Sequence, residues 1–197
     1  MFLPLSFYLR DDVTTIAREL LGKYLVTMND GKLTSGMITE TEAYAGISDR
    51  ASHAYGGRNT ARTEVMFRQG VTAYVYLCYG IHSLFNVVTN LEGIPHAVLI
   101  RAIEPAEGTD MMEKRMAKNS SVKHFANGPG KVTKALGIHY HQSGANLCLP
   151  ENNMREKQIW IEDRNSIKTT REIIVTPMIG VAYAGEDALL PYRFLLK

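Results

Sequence analysis

The stretch from Met37 to Arg58, MITETEAYAGISDRASHAYGGR, constrains this chain more than any other. Read as extended, Met37–Tyr44 places Ile38, Glu40, Glu42 and Tyr44 on one face by the period of two. Two carboxylates and a phenol make a poor core surface, because an ionised carboxylate is costly to bury unpaired. The spacing therefore predicts the wall of a polar cleft. The loop that follows carries His53 and closes on Gly56–Gly57–Arg58. A base, an aromatic and a histidine thus come from one strand and the turn beyond it. That is the local pattern of a site, and so short a run leaves the chemistry open.

A length of 197 residues suits one domain, 1–197, with enough chain to bury a real core. Apolar content of 45% and charged content of 21% fit a globular protein that needs no membrane. No run of about 18 apolar residues marks a membrane span. The start, MFLPLSFYLRDD, lacks the basic and cleavage regions of a signal peptide. Cys78 and Cys148 are too few for a disulfide framework, so a reducing, cytoplasmic compartment is expected. The formal charge of +2 permits nucleic-acid binding through a local patch without arguing for it. No repeat, low-complexity tract or linker divides the chain.

Val13, Ile16, Ala17, Leu20 and Leu21 have the spacing of an amphipathic helix, with Asp11 or Asp12 to cap it and Gly22 to end it. Lys23–Met28 reads as a strand. The Asn29–Asp30–Gly31 turn then leads toward Met37–Tyr44, as in a hairpin. Arg58, Arg62 and Arg68 bracket Glu64, either on a solvated loop or on a phosphate-facing rim. In Thr72–Thr89, two β-rich runs flank Tyr79–Gly80 and predict a second hairpin. Its alternation puts Tyr74, Tyr76 and Cys78 on one face, and Leu84, Asn86 and Val88 together on the return strand. The tyrosines serve either as β-formers on a half-buried sheet or as a surface for a ligand, and Tyr79 at the tip needs a covering partner.

Ala97–Ile103 reads as a buried strand interrupted by Arg101, on the face of Leu99. A charge in such a run is usually paired, and Glu40 and Glu42 are the candidate partners. Pro105 is expected to end this strand, and Thr109–Lys118 to form a helix with its methionines in the core. Asn127–Gly–Pro–Gly–Lys131 opens a short helix closed by Gly137, which reads as an unspecific phosphate cradle around Gly130 and Lys131. His139 and His141 have the spacing of two metal ligands on one strand face, but no third ligand keeps suitable spacing, so no metal site is assigned. Gln158–Asp163 and Tyr192–Leu196 read as strands.

Taken together, these residues resemble the alkyladenine (3-methyladenine) DNA glycosylase family. The resemblance is carried by IARELLG (Ile16–Gly22), ITETEAY (Ile38–Tyr44), the His53–Gly57 turn, RTEVMF (Arg62–Phe67) and AYVYLCYGIHSLFNVV (Ala73–Val88). AVLIRAIEP (Ala97–Pro105), NGPGKVTKALGI (Asn127–Ile138) and the terminal PYRF continue it in order along nearly the whole chain. It implies a mixed α/β (α+β) fold: a single compact domain with a curved, largely antiparallel sheet, flanking helices and a protruding β-hairpin that enters DNA. It also implies a monofunctional enzyme that flips alkylated or deaminated purines from duplex DNA and hydrolyses the N-glycosidic bond. The candidate lesions are 3-methyladenine, 7-methylguanine, ethenoadenine and hypoxanthine.

By the same resemblance, Glu42 matches the residue that activates water, and Arg101 the residue that holds Glu42, the water and a phosphate in register. Tyr44, Tyr76 and His53 match the walls of the base pocket, Asn86 its floor, Leu99 an apolar contact and Tyr79 the wedge. The rim and cradle read from the residues make Arg58, Arg62, Gly130 and Lys131 the candidates against the DNA backbone, and Glu40 is given a structural part. No metal and no cofactor are implied, and a monomer is expected, in the nucleoid if the source is bacterial. Met178 stands in a segment where the family often carries arginine, Ala61 where proline is common and His82 where an aromatic is common. Two other readings compete: a carbohydrate hydrolase using Glu40 and Glu42 as an acid/base pair, and a non-catalytic module whose tyrosines stack on bases.

Overall fold

A computed structural model of the chain describes residues 1–116, 126–147, 158–164 and 172–197. Its described strands form one mixed-length sheet of eight: β1 (Tyr24–Asn29), β2 (Lys32–Tyr44), β3 (Ala73–Cys78), β4 (His82–Thr89), β5 (His96–Glu107), β6 (Gln158–Glu162), β7 (Ile173–Thr176) and β8 (Arg193–Leu196). The pairings are antiparallel, in the order β3-β4-β5-β2-β1-β6. β8 pairs with β2 at Glu40–Glu42, past the residues that β1 covers, and carries β7 on its outer side. Helices α1 (Leu5–Tyr8), α2 (Val13–Glu19), α3 (Thr109–Met116) and α4 (Pro129–Leu136) flank it. This is the α+β architecture that the resemblance implies.

The spine is β2, and its start lies earlier than the sequence pattern marks. Asp30 and Gly31 both take positive φ (51° and 73°), the geometry of a two-residue hairpin turn, so pairing begins at Asn29 and Lys32. Further along, strict alternation fails. The β2–β5 ladder skips Thr39 on one strand and Arg101 on the other. Each skipped residue reverses which face its neighbours take. Ile38 therefore joins the main apolar core together with Ala43, whereas Thr41 on that face bonds the Ala17 carbonyl of α2 at 2.9 Å. The expectation that Ile38 shares a face with Glu40, Glu42 and Tyr44 is corrected by this bulge.

Asp12 caps α2, accepting from the Thr14 and Thr15 N–H groups at 2.9 and 3.1 Å, and the bonds from the Thr14 and Thr15 hydroxyls, helped by these, hold its carboxyl down at about 2. The helix stops at Glu19, short of Gly22, and Leu20 and Leu21 still reach the core from the turn that follows. Pro105 does not end β5, which runs on to Glu107. β4 pairs with β5 only as far as Leu99, so Pro105 sits where that edge of β5 needs no N–H from it. The last two residues of the expected helix, 117 and 118, lie outside the described residues, as does Cys148. The helix that is described puts Met112 in the core.

The two faces of the sheet are covered differently. On one, α2, α3 and α4 pack over a continuous core that includes Phe85, Val87, Val98 and Ile100. On the other, Tyr74, Val88 and Ala97 meet Ala54, Val65 and Met66 from the loop after β2. Beside them Ala51, Met178, Val181 and Ala184 form a smaller cluster. Loops rather than helices close this second face, and loops leave room for a cavity.

Candidate active site

The β3–β4 hairpin follows its alternation. Tyr74 and Tyr76 point to the loop-covered face with Leu84 and Asn86, opposite Phe85 and Val87. Cys78 pairs with His82 across a turn in which Tyr79 and Gly80 have φ of 51° and 74°, which leaves Tyr79 92% exposed at the tip. The loop that faces the hairpin is held by Asp49, whose carboxylate accepts from the Ala45 and Ala51 N–H groups at 2.9 and 2.8 Å. This fixes His53 over β3, with Nδ1 2.9 Å from the Tyr74 hydroxyl. The His53 ring meets Tyr76 edge to face, at 4.7 Å between centroids.

Between hairpin and loop lies a cavity of about 460 Å³. Tyr44, His53 and Tyr76 wall it, Asn86 and Leu99 lie in its floor, and Arg101 reaches it from β5. The Asn86 amide donates to the Tyr74 carbonyl at 3.1 Å. Burial pushes His53 down to about 4, helped by the charges of Arg62 and Arg58, so the ring is neutral at pH 7. Burial also raises Tyr74, to about 12, and raises Tyr44 and Tyr76, so the phenols stay protonated. The walls are therefore aromatic and uncharged, which suits a planar base, with a guanidinium below.

The carboxylates differ from expectation. Glu40 and Glu42 are buried, and the wall of the cleft is formed by the groups that hold them. Arg101 donates from Nε to Glu40 Oε1 at 2.8 Å and from Nη1 to Glu42 Oε2 at 3.2 Å, the pairing that its position suggests. Arg193 of β8 donates to the same Glu40 oxygen at 2.6 Å. Glu42 also accepts from the Tyr44 hydroxyl at 2.9 Å and from the Ile179 N–H at 2.7 Å. Two guanidiniums, a phenol and a peptide N–H offset the burial that an unpaired acid would not tolerate. Burial still raises Glu42 above its usual value, against Arg101, Ile179 and Tyr44, which oppose it. For Arg101, burial is outweighed by Glu42 and Glu40, and its charge is secured. Every one of these partners is a donor, so Glu42 is held as an acceptor-only carboxylate. It lies one layer behind the cavity, covered by Tyr44, Arg101 and Ile179, which all line it.

The remaining candidates are more dispersed. Arg62 lies at the cavity with its guanidinium 4.9 Å from the Tyr76 ring centroid. Arg58 is exposed beside a second opening that also borders His53. Gly130 and exposed Lys131 begin α4 on the helix-covered face, where His82 packs at 3.2 Å from the place a Gly130 Cβ would take. The N–H groups of Lys131 and Val132 both close on the Gly128 carbonyl. Met178 is buried among Ala51, Val181 and Ala184, so this segment uses it for packing. His139 precedes the 3-10 turn Tyr140–Gln142 and His141 lies within it, so neither is on a strand. Among the described residues, no three His, Cys, Asp or Glu side chains are grouped to hold a metal. Sequence reasoning missed the Ile179 N–H, Arg193, and Tyr183, whose hydroxyl donates to the Ala51 carbonyl at 2.9 Å at the cavity mouth. Arg193 had a signal in the terminal PYRF, but no sequence feature marks a backbone donor.

Comparison with known proteins places this geometry in context. The methylpurine-DNA glycosylase family profile matches residues 6–197. A protein of Chlamydia felis is 48% identical over 99% of this chain and 96% of its own length. One from Clostridium perfringens is 43% identical over 100% and 96%, and one from Desulfitobacterium hafniense 42% over 98% and 93%. All three are provisionally named 3-methyladenine DNA glycosylase.

Proposed function

Because the chain belongs to the methylpurine-DNA glycosylase family, we propose that it excises damaged purines from duplex DNA by hydrolysis of the N-glycosidic bond. It acts as a single-domain monomer and leaves an abasic site. The observation that carries this reading is the buried Glu42 carboxylate, held by three donors directly behind a cavity with uncharged aromatic walls.

A flipped purine enters between Tyr44, His53 and Tyr76, where stacking contributes about 1–3 kcal/mol per base. Tyr79 fills the gap left in the duplex, and lowers the few kcal/mol that unstacking costs. Arg58, Arg62, Gly130 and Lys131 hold the backbone. Neutral His53 has Nδ1 engaged by the Tyr74 hydroxyl and offers Nε2 to the base. An N-alkylpurine carries positive charge, and the ring faces attract it. Asn86 in the floor disfavours the exocyclic amino group of guanine, and Leu99 supplies apolar contact.

Cleavage of the glycosidic bond develops positive charge on the sugar, and a carboxylate stabilises it while taking a proton from water. Glu42 meets water once the Tyr44 hydroxyl yields Oε2, because this donor is neutral whereas Arg101 carries charge. A cationic 3-methyladenine or 7-methylguanine leaves without further protonation. Ethenoadenine and hypoxanthine are neutral, and hypoxanthine requires protonation of the leaving group. The carbohydrate-hydrolase reading is disfavoured because Glu40 is locked by two arginines and offers no free acid.

The test is incubation with dimethyl sulfate-treated duplex DNA, followed by chromatography of released bases and borohydride treatment of the reaction. Release of 3-methyladenine, with no protein–DNA adduct trapped, supports a hydrolytic glycosylase. A trapped adduct would show an amine nucleophile and overturn the water mechanism. Binding without release would favour the non-catalytic module.

A further inference from the structure

We propose that Arg193 is a positioning residue for this reaction: by holding Glu40, it leaves Arg101 available to Glu42. Four charges lie in a row across β8, β2 and β5. Arg193 donates to Glu40 Oε1 at 2.6 Å, Arg101 donates to the same oxygen at 2.8 Å, and Arg101 reaches Glu42 Oε2 at 3.2 Å. Side-chain exposure runs from 0% at Glu42 and 8% at Glu40 to 12% at Arg101 and 19% at Arg193, so solvent screens none of them well. The register places the residues to do this, since Glu42 pairs with Arg193 and Glu40 with Leu195. Thr176 on β7 steadies Arg193 from its far side, accepting from Nη1 at 3.3 Å.

The consequence follows from charge balance. With Arg193 present, two guanidiniums serve two carboxylates. Without it, Glu40 has, among the described residues, only Arg101, whose Nε is already closer to Glu40 than Nη1 is to Glu42. A guanidinium binds one carboxylate best through two parallel bonds. Arg101 would therefore turn its fork onto Glu40, and Glu42 would keep only neutral donors. The groups facing Glu42 are the Tyr44 hydroxyl on its own strand, Arg101 on β5, the Ile179 N–H and, across the cavity, the Tyr183 phenol. Of these, Arg101 alone carries positive charge.

Arg193 has this role only if Glu42 is the base, as proposed above. The experiment measures release of labelled 3-methyladenine from methylated duplex DNA as a function of pH. It compares wild type with Arg193→Met, Arg193→Lys, Glu40→Gln and the double variant Glu40→Gln/Arg193→Met. Arg193→Met should slow release about tenfold near pH 6 and move the acid limb of the profile up by about one unit, and Arg193→Lys should recover much of it. Neutralising Glu40 removes the competitor for Arg101. The double variant should therefore match Glu40→Gln within about threefold, despite carrying more substitutions. A purely structural role predicts the reverse, with the double variant at least as slow as Arg193→Met, and that result would overturn the assignment. So would an unshifted acid limb. If Arg193→Met fails to fold, Glu40→Gln and the double variant still decide: equal rates support the role of Arg193, and a much slower double variant overturns it. Wild type that releases nothing would instead overturn the glycosylase reading, and this role with it.

Discussion

Replacing Arg101 with methionine removes the one charged partner that Glu42 has among the described residues, while keeping much of the side chain's apolar stem. Glu42 is 0% exposed, so in the free protein, with Tyr44 in place, water does not compensate it. Breaking a buried ion pair costs about 3–5 kcal/mol when the remaining charge stays ionised. At 1.36 kcal/mol per pKa unit, that corresponds to a further rise of about two to three and a half units in Glu42. Glu42 is already raised in the folded protein. A raised carboxyl gives its full stability below the unfolded value, and this stability is lost as pH rises through the folded value. In the variant the loss extends to higher pH. Glu40 keeps Arg193, so its share of the penalty varies little with pH. Arg101→Met should therefore be mildly destabilising at pH 5, where Glu42 protonates, and about 2–3 kcal/mol worse relative to wild type at pH 8. Urea denaturation of both proteins at the two pH values measures it. A stability difference that is the same at pH 5 and pH 8 would refute the claim that Arg101 supports an ionised Glu42.

Tyr44→Phe keeps the stacking ring and removes a donor to a charged acceptor, a bond worth about 1.5–3 kcal/mol. Its pH–rate profile should move up by about one unit while the rate at pH 8 stays within about threefold of wild type, and an equal loss at every pH would contradict this. Tyr79→Gly relieves a non-glycine residue at φ 51° and should stabilise the fold by roughly 0.5 kcal/mol while weakening binding to a lesion duplex about tenfold, as read by denaturation and anisotropy. Stability and binding falling together would count against a wedge held in strain for function. The His53 ring should titrate near 4 by NMR. A depressed histidine contributes stability above its ordinary 6.5 that is lost as pH falls toward 4, so His53→Gln should flatten the stability profile in that window.

Much of this arrangement is legible in the letters of the chain, and the exceptions have physical reasons. The β3–β4 faces follow from alternation because each strand is buried differently on its two sides. Asp12 and Gly137 announce helix ends because a cap needs a side-chain acceptor and a left-handed residue favours the absence of a Cβ. Arg101 could be paired with Glu40 and Glu42 because a buried charge needs a partner. Thr39 and the bulge around it were not readable, since any residue can be skipped by a ladder, and one skip reversed the assignment of Ile38. The depth of Glu42 was misread for a related cause. The Ile179 N–H that helps make its burial tolerable lies 137 positions along the chain, and Arg193, which holds the neighbouring Glu40, comes from β8. Pro105 misled because proline forbids a strand interior but not an edge.

The most direct test of Glu42 as the base is single-turnover release by wild type and Glu42→Gln from a duplex carrying one damaged purine, with binding of the same duplex measured alongside. The variant should bind the lesion duplex about as tightly as wild type and release base at least about 10²-fold more slowly. Release at the wild-type rate by a variant that binds normally would contradict the assignment of Glu42 as the base.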